Sequence, residues 1–261
     1  MIKLAFLFLT LSGIFHEDYW KDFFKGNLDR AFIHVHAKQG VPKSSWFKRF
    51  QMPYRVENSW ARTMKAQIAL LKEALKDPET AYFIFCSHNT IPLQSFDYIY
   101  DELTGLGKSM FWYEKNPHMD PDKPGLYQAH RVLAPIPHEM QHKNAQWIIL
   151  TREHAQMMVN DRKLVHMISR YPHDQEHYPS TFLAMANELD QVHKKEGTLV
   201  VWHLSKRPPY VFKDLGDLHE YQLLTDAIKY GTYFVRKIDE HCNLAPLDDS
   251  LAYRDGYRFA A

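Results

Sequence analysis

Cysteine is almost missing from this chain: Cys86 lies inside an apolar run and Cys242 near the C-terminus, so the sequence argues against a disulfide framework and fits a reducing compartment. A dominant charge is missing too. Lys and Arg number 32 against 31 Asp and Glu, a net charge of +1, which argues against a protein built to grip nucleic acid or an anionic membrane surface. The apolar stretch Leu4 to Leu11 is too short to span a membrane, and there is neither an internal repeat nor a low-complexity segment. What is present is globular: 45% hydrophobic and 14% aromatic residues over 261 positions, enough for one α/β domain with a substantial core.

Met1-Ile2-Lys3 followed by Leu4 to Leu11 has the charge and apolar core of a secretory signal over residues 1–15. The competing and preferred expectation is a first strand, because the run leads through Gly13 into an amphipathic helix over 16–24 with an acidic first turn. The alternation then continues, with strands at 31–35, 81–86, 109–113, 148–150, 199–202 and 232–235. Helices are expected at 60–76, 96–103, 153–159, 164–169, 181–194 and 218–229. Residues 116–137 hold five prolines and little periodicity and read as a long loop, and the tail after Ile238 is polar.

The chemistry concentrates around His173 to Thr181, which places Glu176 at the mouth of an apolar, aromatic-rich helix start. Lys143 to Trp147 leads into the strand Ile148 to Leu150, and Arg236-Lys237 ends another apolar run. A carboxylate, an amide-plus-indole pair and a dibasic strand end suit a site for an anionic leaving group. Three patterns compete for metal or phosphate. His138-Glu139-Met140-Gln141-His142 matches the H-E-x-x-H zinc pattern, but Pro135 and Pro137 precede it and a strand follows, so a helix presenting both histidines on one face is not expected. Gly107-Lys108-Ser109 follows a helix where a phosphate loop requires a strand. Asp120-Pro121-Asp122 sits among turn residues rather than at a strand end.

Ser59 to Arg62, Ser87 to Leu93, Lys143 to Trp147 with Thr151-Arg152, Val159 to Asp161, Glu176 to Tyr178 with Thr181, and Phe234 to Lys237 occur in that order. In order and spacing this resembles the core-2 and I-branching N-acetylglucosaminyltransferase family, with its plant and bacterial relatives and the peptide O-xylosyltransferases, over residues 2–239. The resemblance implies a GT-A-like, Rossmann-type α/β fold with a mostly parallel sheet flanked by helices. It also implies an inverting, metal-independent transfer from a UDP-sugar, with no cofactor. Residue by residue it implies that Glu176 is the general base, that Lys237 with Arg236 contacts the donor diphosphate, that Arg207 is a second such contact, and that His36 stands where a strand-end Asp touches uridine. Lys143, Gln146 and Trp147 would meet the acceptor, Trp147 stacking on a sugar face. The chain departs from relatives at Gln175, at Asn144-Ala145 and at His36, and it lacks the cysteine network and membrane anchor of the animal Golgi members.

A single domain is expected over 1–261, with a nucleotide-sugar half at 1–115, an acceptor and catalytic half at 116–240 and a tail at 241–261. The donor is a UDP-sugar, with N-acetylglucosamine or xylose implied, and the acceptor is a glycan or protein-linked hydroxyl. Nucleic acid is not an expected partner. Cytoplasmic localisation, in a microbe or a virus-infected host, fits these features, with the secretory pathway as the alternative. Two other functions stay open: a zinc metallohydrolase built on His138, Glu139 and His142, and a non-catalytic UDP-sugar-binding domain.

Overall fold

No side chain from Leu4 to Phe8 is exposed, and a strand apolar on both faces belongs in the middle of a sheet covered on both sides. The computed structural model describes residues 1–115, 133, 135–170, 172–205 and 208–247. In it, this run is β1 (Lys3–Thr10), paired in parallel with β2 (Ala31–Ala37) and β3 (Thr80–Ser87). β5 (Ser109–Met110), β8 (Ile149–Thr151) and β9 (Val192–His193) extend the sheet, whose order is β2-β1-β3-β8-β5-β9. Of these strands only β8 runs against the rest. The α/β class with a mostly parallel sheet is therefore the one expected.

Alternate residues of β1 enter different cores. Phe6 and Phe8 join Trp20 and Phe24 of α1 (Glu17–Phe24), Phe96 of α3 (Phe96–Leu106) and Phe234 in an aromatic layer on one face. Ala5, Leu7 and Leu9 meet α2 (Met64–Ala74) and α4 (Arg152–Asn160) on the other, where Leu183 of α6 (Asp174–Met185) also packs. Between α4 and α6 lies the short α5 (Lys163–Ile168), and α7 (Leu218–Lys229) packs with a third apolar cluster.

Two small sheets position the site. β4 (Ile91–Pro92), β10 (Thr198–Val200) and β11 (Phe234–Arg236) pair in the order β10-β11-β4, which draws the loop after β3 to the end of β11. β6 (Tyr113–Lys115) pairs with β7 (His142–Asn144), setting Glu114 opposite Lys143.

Two expectations are corrected. The helix expected over 181–194 is α6, which begins at Asp174 and stops at Met185, with β9 following. Pro179 lies inside this helix and has no N–H to give the Gln175 carbonyl one turn back. That carbonyl instead accepts from Asn144 Nδ2 at 3.1 Å, and the helix runs through the proline. Asn187, at φ 58°, ends it: Asn187 N–H bonds Ala184 O and Glu188 N–H bonds Leu183 O, the 5→2 and 6→1 pair of a Schellman stop. The strand expected over 109–113 is broken into β5 and β6. Most of the 116–137 stretch, including Asp120-Pro121-Asp122, and the tail beyond 247 lie outside the described residues.

Candidate active site

Glu176 is the third residue of α6, where exposed backbone N–H groups favour a negative charge. Its Oε1 lies 3.5 Å from His173 Nδ1 and its Oε2 3.8 Å from Lys143 Nζ. Lys143 reaches it because β7 is laced to α6. His142 N–H bonds Thr181 Oγ1, which donates back to His142 O, and Asn144 Oδ1 accepts from both the Ser180 N–H and the Ser180 hydroxyl. Burial pushes the Glu176 carboxyl upward, but the His173 contact and the Lys143 charge outweigh it and hold the group below the ordinary carboxylate value. It is thus ionised at neutral pH and able to accept a proton. The adjacent His177 is pushed down to about 4 by burial and is neutral there.

Asp174, two residues earlier, does different work. Its Oδ1 accepts from the N–H groups of Thr63, Met64 and Gln175 at 3.0, 3.2 and 2.8 Å, so one buried carboxylate caps the starts of α2 and α6 together. Burial raises it to about 6 in spite of these donors. The same corner holds two non-glycine residues in the left-handed region, Ala61 at φ 59° and His173 at φ 62°, joined by the His173 N–H to Ala61 O bond at 2.5 Å. Such backbone is sparsely populated and concentrates at functional sites.

The cations come from β11 and the residue after it. Arg236 Nε donates to Ser87 Oγ at 3.1 Å, and its guanidinium lies 4.5 Å from the centre of the Trp147 ring. Ser87 donates in turn to Asn89 Oδ1, and Ile238 N–H bonds Asn89 O, so the loop after β3 and the end of β11 form one unit. Burial lowers Arg236 to about 10, against the opposing pull of the Glu176 carboxylate, and it stays charged at neutral pH. Burial and then the Arg236 charge lower Lys237, while burial, Arg236 and Lys237 lower His88. Carboxylate, paired cations and a neutral imidazole therefore share one electrostatic neighbourhood.

Glu176, Lys143, Trp147 and Arg236 are brought together, with Lys237 half-buried beside Arg236 and Gln146 half-buried beside Trp147. Trp147 needs a correction in detail. It is 7% exposed and the guanidinium covers one face, so it is a platform for Arg236 and not an open stacking surface. Its Nε1 and the Oε1 of Gln175 are buried without a hydrogen-bond partner among the described residues, a condition that bound ligand or water ordinarily relieves. His36 is 1% exposed at the end of β2, kept neutral by burial, and its Nε2 accepts the Val56 N–H at 3.0 Å. It thus supports the chain behind the loop after β2 and offers no open face to a nucleotide. Arg207 lies outside the described residues. His138 is in a 3-10 turn and His142 in β7, so no helix aligns them, and no cluster of three or more His, Cys, Asp or Glu fit to hold a metal occurs among the described residues. Gly107, at φ 67°, closes α3 and does not open a phosphate-binding helix. Sequence reasoning missed His173, for which no pattern signalled a role, and the Ser87–Asn89 contact to Arg236.

A mostly parallel α/β sheet with an ionised carboxylate at a helix start and buried cations at a neighbouring strand end is suited to group transfer from an anionic leaving group. The family model described as Core-2/I-Branching enzyme matches residues 4–224, and the chain belongs to that family. A rice protein, "Glycosyltransferase BC10" of Oryza sativa subsp. japonica, is 32% identical over 179 residues, which are 62% of this chain and 42% of that protein. The chain therefore spans less than half the length of this curated relative. The crystal structure of A197 from STIV is similar over 59% of this chain and 68% of that one, at a TM-score of 0.30 and 9% identity, too distant a likeness to carry function.

Proposed function

We propose that the chain is an inverting glycosyltransferase that moves a sugar from a UDP-sugar to an acceptor hydroxyl. The observation that carries this is Glu176, held ionised by His173 and Lys143 within the field of Arg236. An acceptor hydroxyl is far too weak an acid to attack the anomeric carbon unaided, and Glu176 takes its proton as the new bond forms. Charge develops on the UDP β-phosphate as it leaves, and Arg236, fixed in place by Ser87 and Trp147, stabilises it together with Lys237. A single displacement inverts the sugar. N-acetylglucosamine and xylose are the donor sugars that family membership favours.

Because side-chain cations neutralise the diphosphate in this scheme, transfer is expected to persist in excess EDTA. Activity abolished by EDTA and restored by manganese or magnesium would return Asp120-Pro121-Asp122 to consideration as a metal site. A thermal-shift panel of UDP-sugars with and without chelator, followed by turnover of whichever binds, tests the whole proposal. Binding without turnover would leave a UDP-sugar-binding domain, and stabilisation by zinc alone would favour a metallohydrolase.

Lys237→Ala is expected to weaken UDP binding by roughly 1.5–3 kcal/mol, the usual worth of a charge-assisted bond in a desolvated setting. Titration calorimetry with UDP measures it. Unchanged affinity in both Lys237→Ala and Arg236→Ala would remove these cations from the donor site.

A further inference from the structure

Trp60 is 88% exposed, the most exposed large apolar side chain among the described residues, yet its backbone is held on both sides. Ser59 and Arg62 close a tight turn through paired hydrogen bonds of 3.0 and 3.3 Å. Immediately after the indole, Ala61 O receives the His173 N–H, and Thr63 and Met64 are fixed by Asp174. The indole makes an edge contact with the His173 ring, centroids 5.7 Å apart at 77°, and His173 Nδ1 is 3.5 Å from Glu176 Oε1. An open aromatic face is thus presented by a rigid turn, one side chain away from the proton acceptor. It buries little against the protein, so packing does not account for it.

We infer that Trp60 is the platform on which a saccharide acceptor sits. This rests on the proposed transfer with Glu176 as base. A pyranose ring has an apolar C–H face that stacks on an indole and a rim of hydroxyls that a neighbouring carboxylate can engage. With the ring on Trp60, a rim hydroxyl is directed toward Glu176. A serine or threonine hydroxyl on a peptide brings no ring for Trp60 to hold. The aromatic platform expected at Trp147 is therefore supplied by a different residue, on a different loop, with its face free.

The test uses the full chain, the donor UDP-sugar it turns over, and two sets of acceptors: the methyl α- and β-glycosides of glucose, galactose, N-acetylgalactosamine and xylose, and a serine-rich peptide. Trp60→Ala is expected to raise the KM for the saccharide acceptor roughly tenfold or more, with kcat less affected. UDP affinity, the slow hydrolysis of donor by water and the melting temperature should stay at parental values, and Trp60→Phe should recover most of the loss. An unchanged saccharide KM overturns the inference. So does a loss of UDP affinity, which would put the indole on the donor, or use of the peptide with a KM indifferent to Trp60. If the parent turns over no UDP-sugar at all, the proposed transfer fails separately. Calorimetric titration of the same methyl glycosides then still decides Trp60: binding lost in Trp60→Ala and kept in Trp60→Phe sustains the platform, and any other result overturns it.

Discussion

Glu176→Gln is expected to lower the transfer rate roughly 10²- to 10⁴-fold while leaving UDP affinity near the parental value. Glutamine keeps the length and the hydrogen-bonding reach toward His173 and Lys143, but gives up the negative charge and with it the capacity to take a proton. Stability should change little, because the side chain is partly open to solvent and caps no helix. Single-turnover rate and melting temperature, taken on one preparation, separate this from a structural role. A variant that keeps more than about a tenth of the parental rate would show that Glu176 is not the base.

Asp174→Ala is expected to do the reverse: a protein that melts much lower but whose folded fraction retains its chemistry. Two buried N–H groups and one part-buried one, at two helix starts, lose their acceptor, each buried one worth about 1–3 kcal/mol, and the relief of a desolvated charge offsets part of that. A net loss of about 2–4 kcal/mol corresponds to roughly 4–16 °C in melting temperature for a chain of this size. Asp174→Asn keeps an acceptor oxygen and should lose far less. pH provides a second readout. The folded state raises this carboxyl from 3.8 to about 6, so it holds the proton more tightly than the unfolded chain does. The stability contributed by Asp174 is therefore greatest below the unfolded value and is lost as pH rises through the folded one. Between about pH 4 and pH 7 the parent should thus lose stability relative to Asp174→Asn. A difference that stays flat or grows in the parent's favour across that range would mean that Asp174 is not a strained, buried carboxylate.

Most elements were legible because apolar periodicity is a local signal. α7 was expected at its observed limits, and β1, β2, β3 and α1 to within a few residues. α6 was not, because the compensation for Pro179 is an Asn144 side chain thirty-five positions away in sequence, and no local rule contains it. The site divides in the same manner. Glu176, Lys143, Arg236 and Lys237 are charged residues at element ends and stand out in the sequence. That the Trp147 face is already covered, that His36 is sealed, and that Trp60 comes to rest beside His173 depend on contacts between distant segments. Several of the matching sequence blocks proved to be framework. Asp161 caps α5 through the N–H groups of Lys163, Leu164 and Val165, and the Arg152 guanidinium ties down the carbonyls of Leu75, Asp77 and Thr80.

The carbonyl that Pro179 leaves without an internal partner has a bearing on local unfolding. A helix that closes its own ladder can protect its amides independently of its neighbours, but the first turns of α6 are completed by Asn144 and by the bonds between His142 and Thr181. When β7 lifts away, the turn carrying Glu176 loses those bonds and Lys143 at the same moment. Amide hydrogen exchange across 142–144 and 174–181 should accordingly report one shared opening event, so that the Glu176 carboxylate and the Lys143 ammonium are assembled or dismantled as a single cooperative unit.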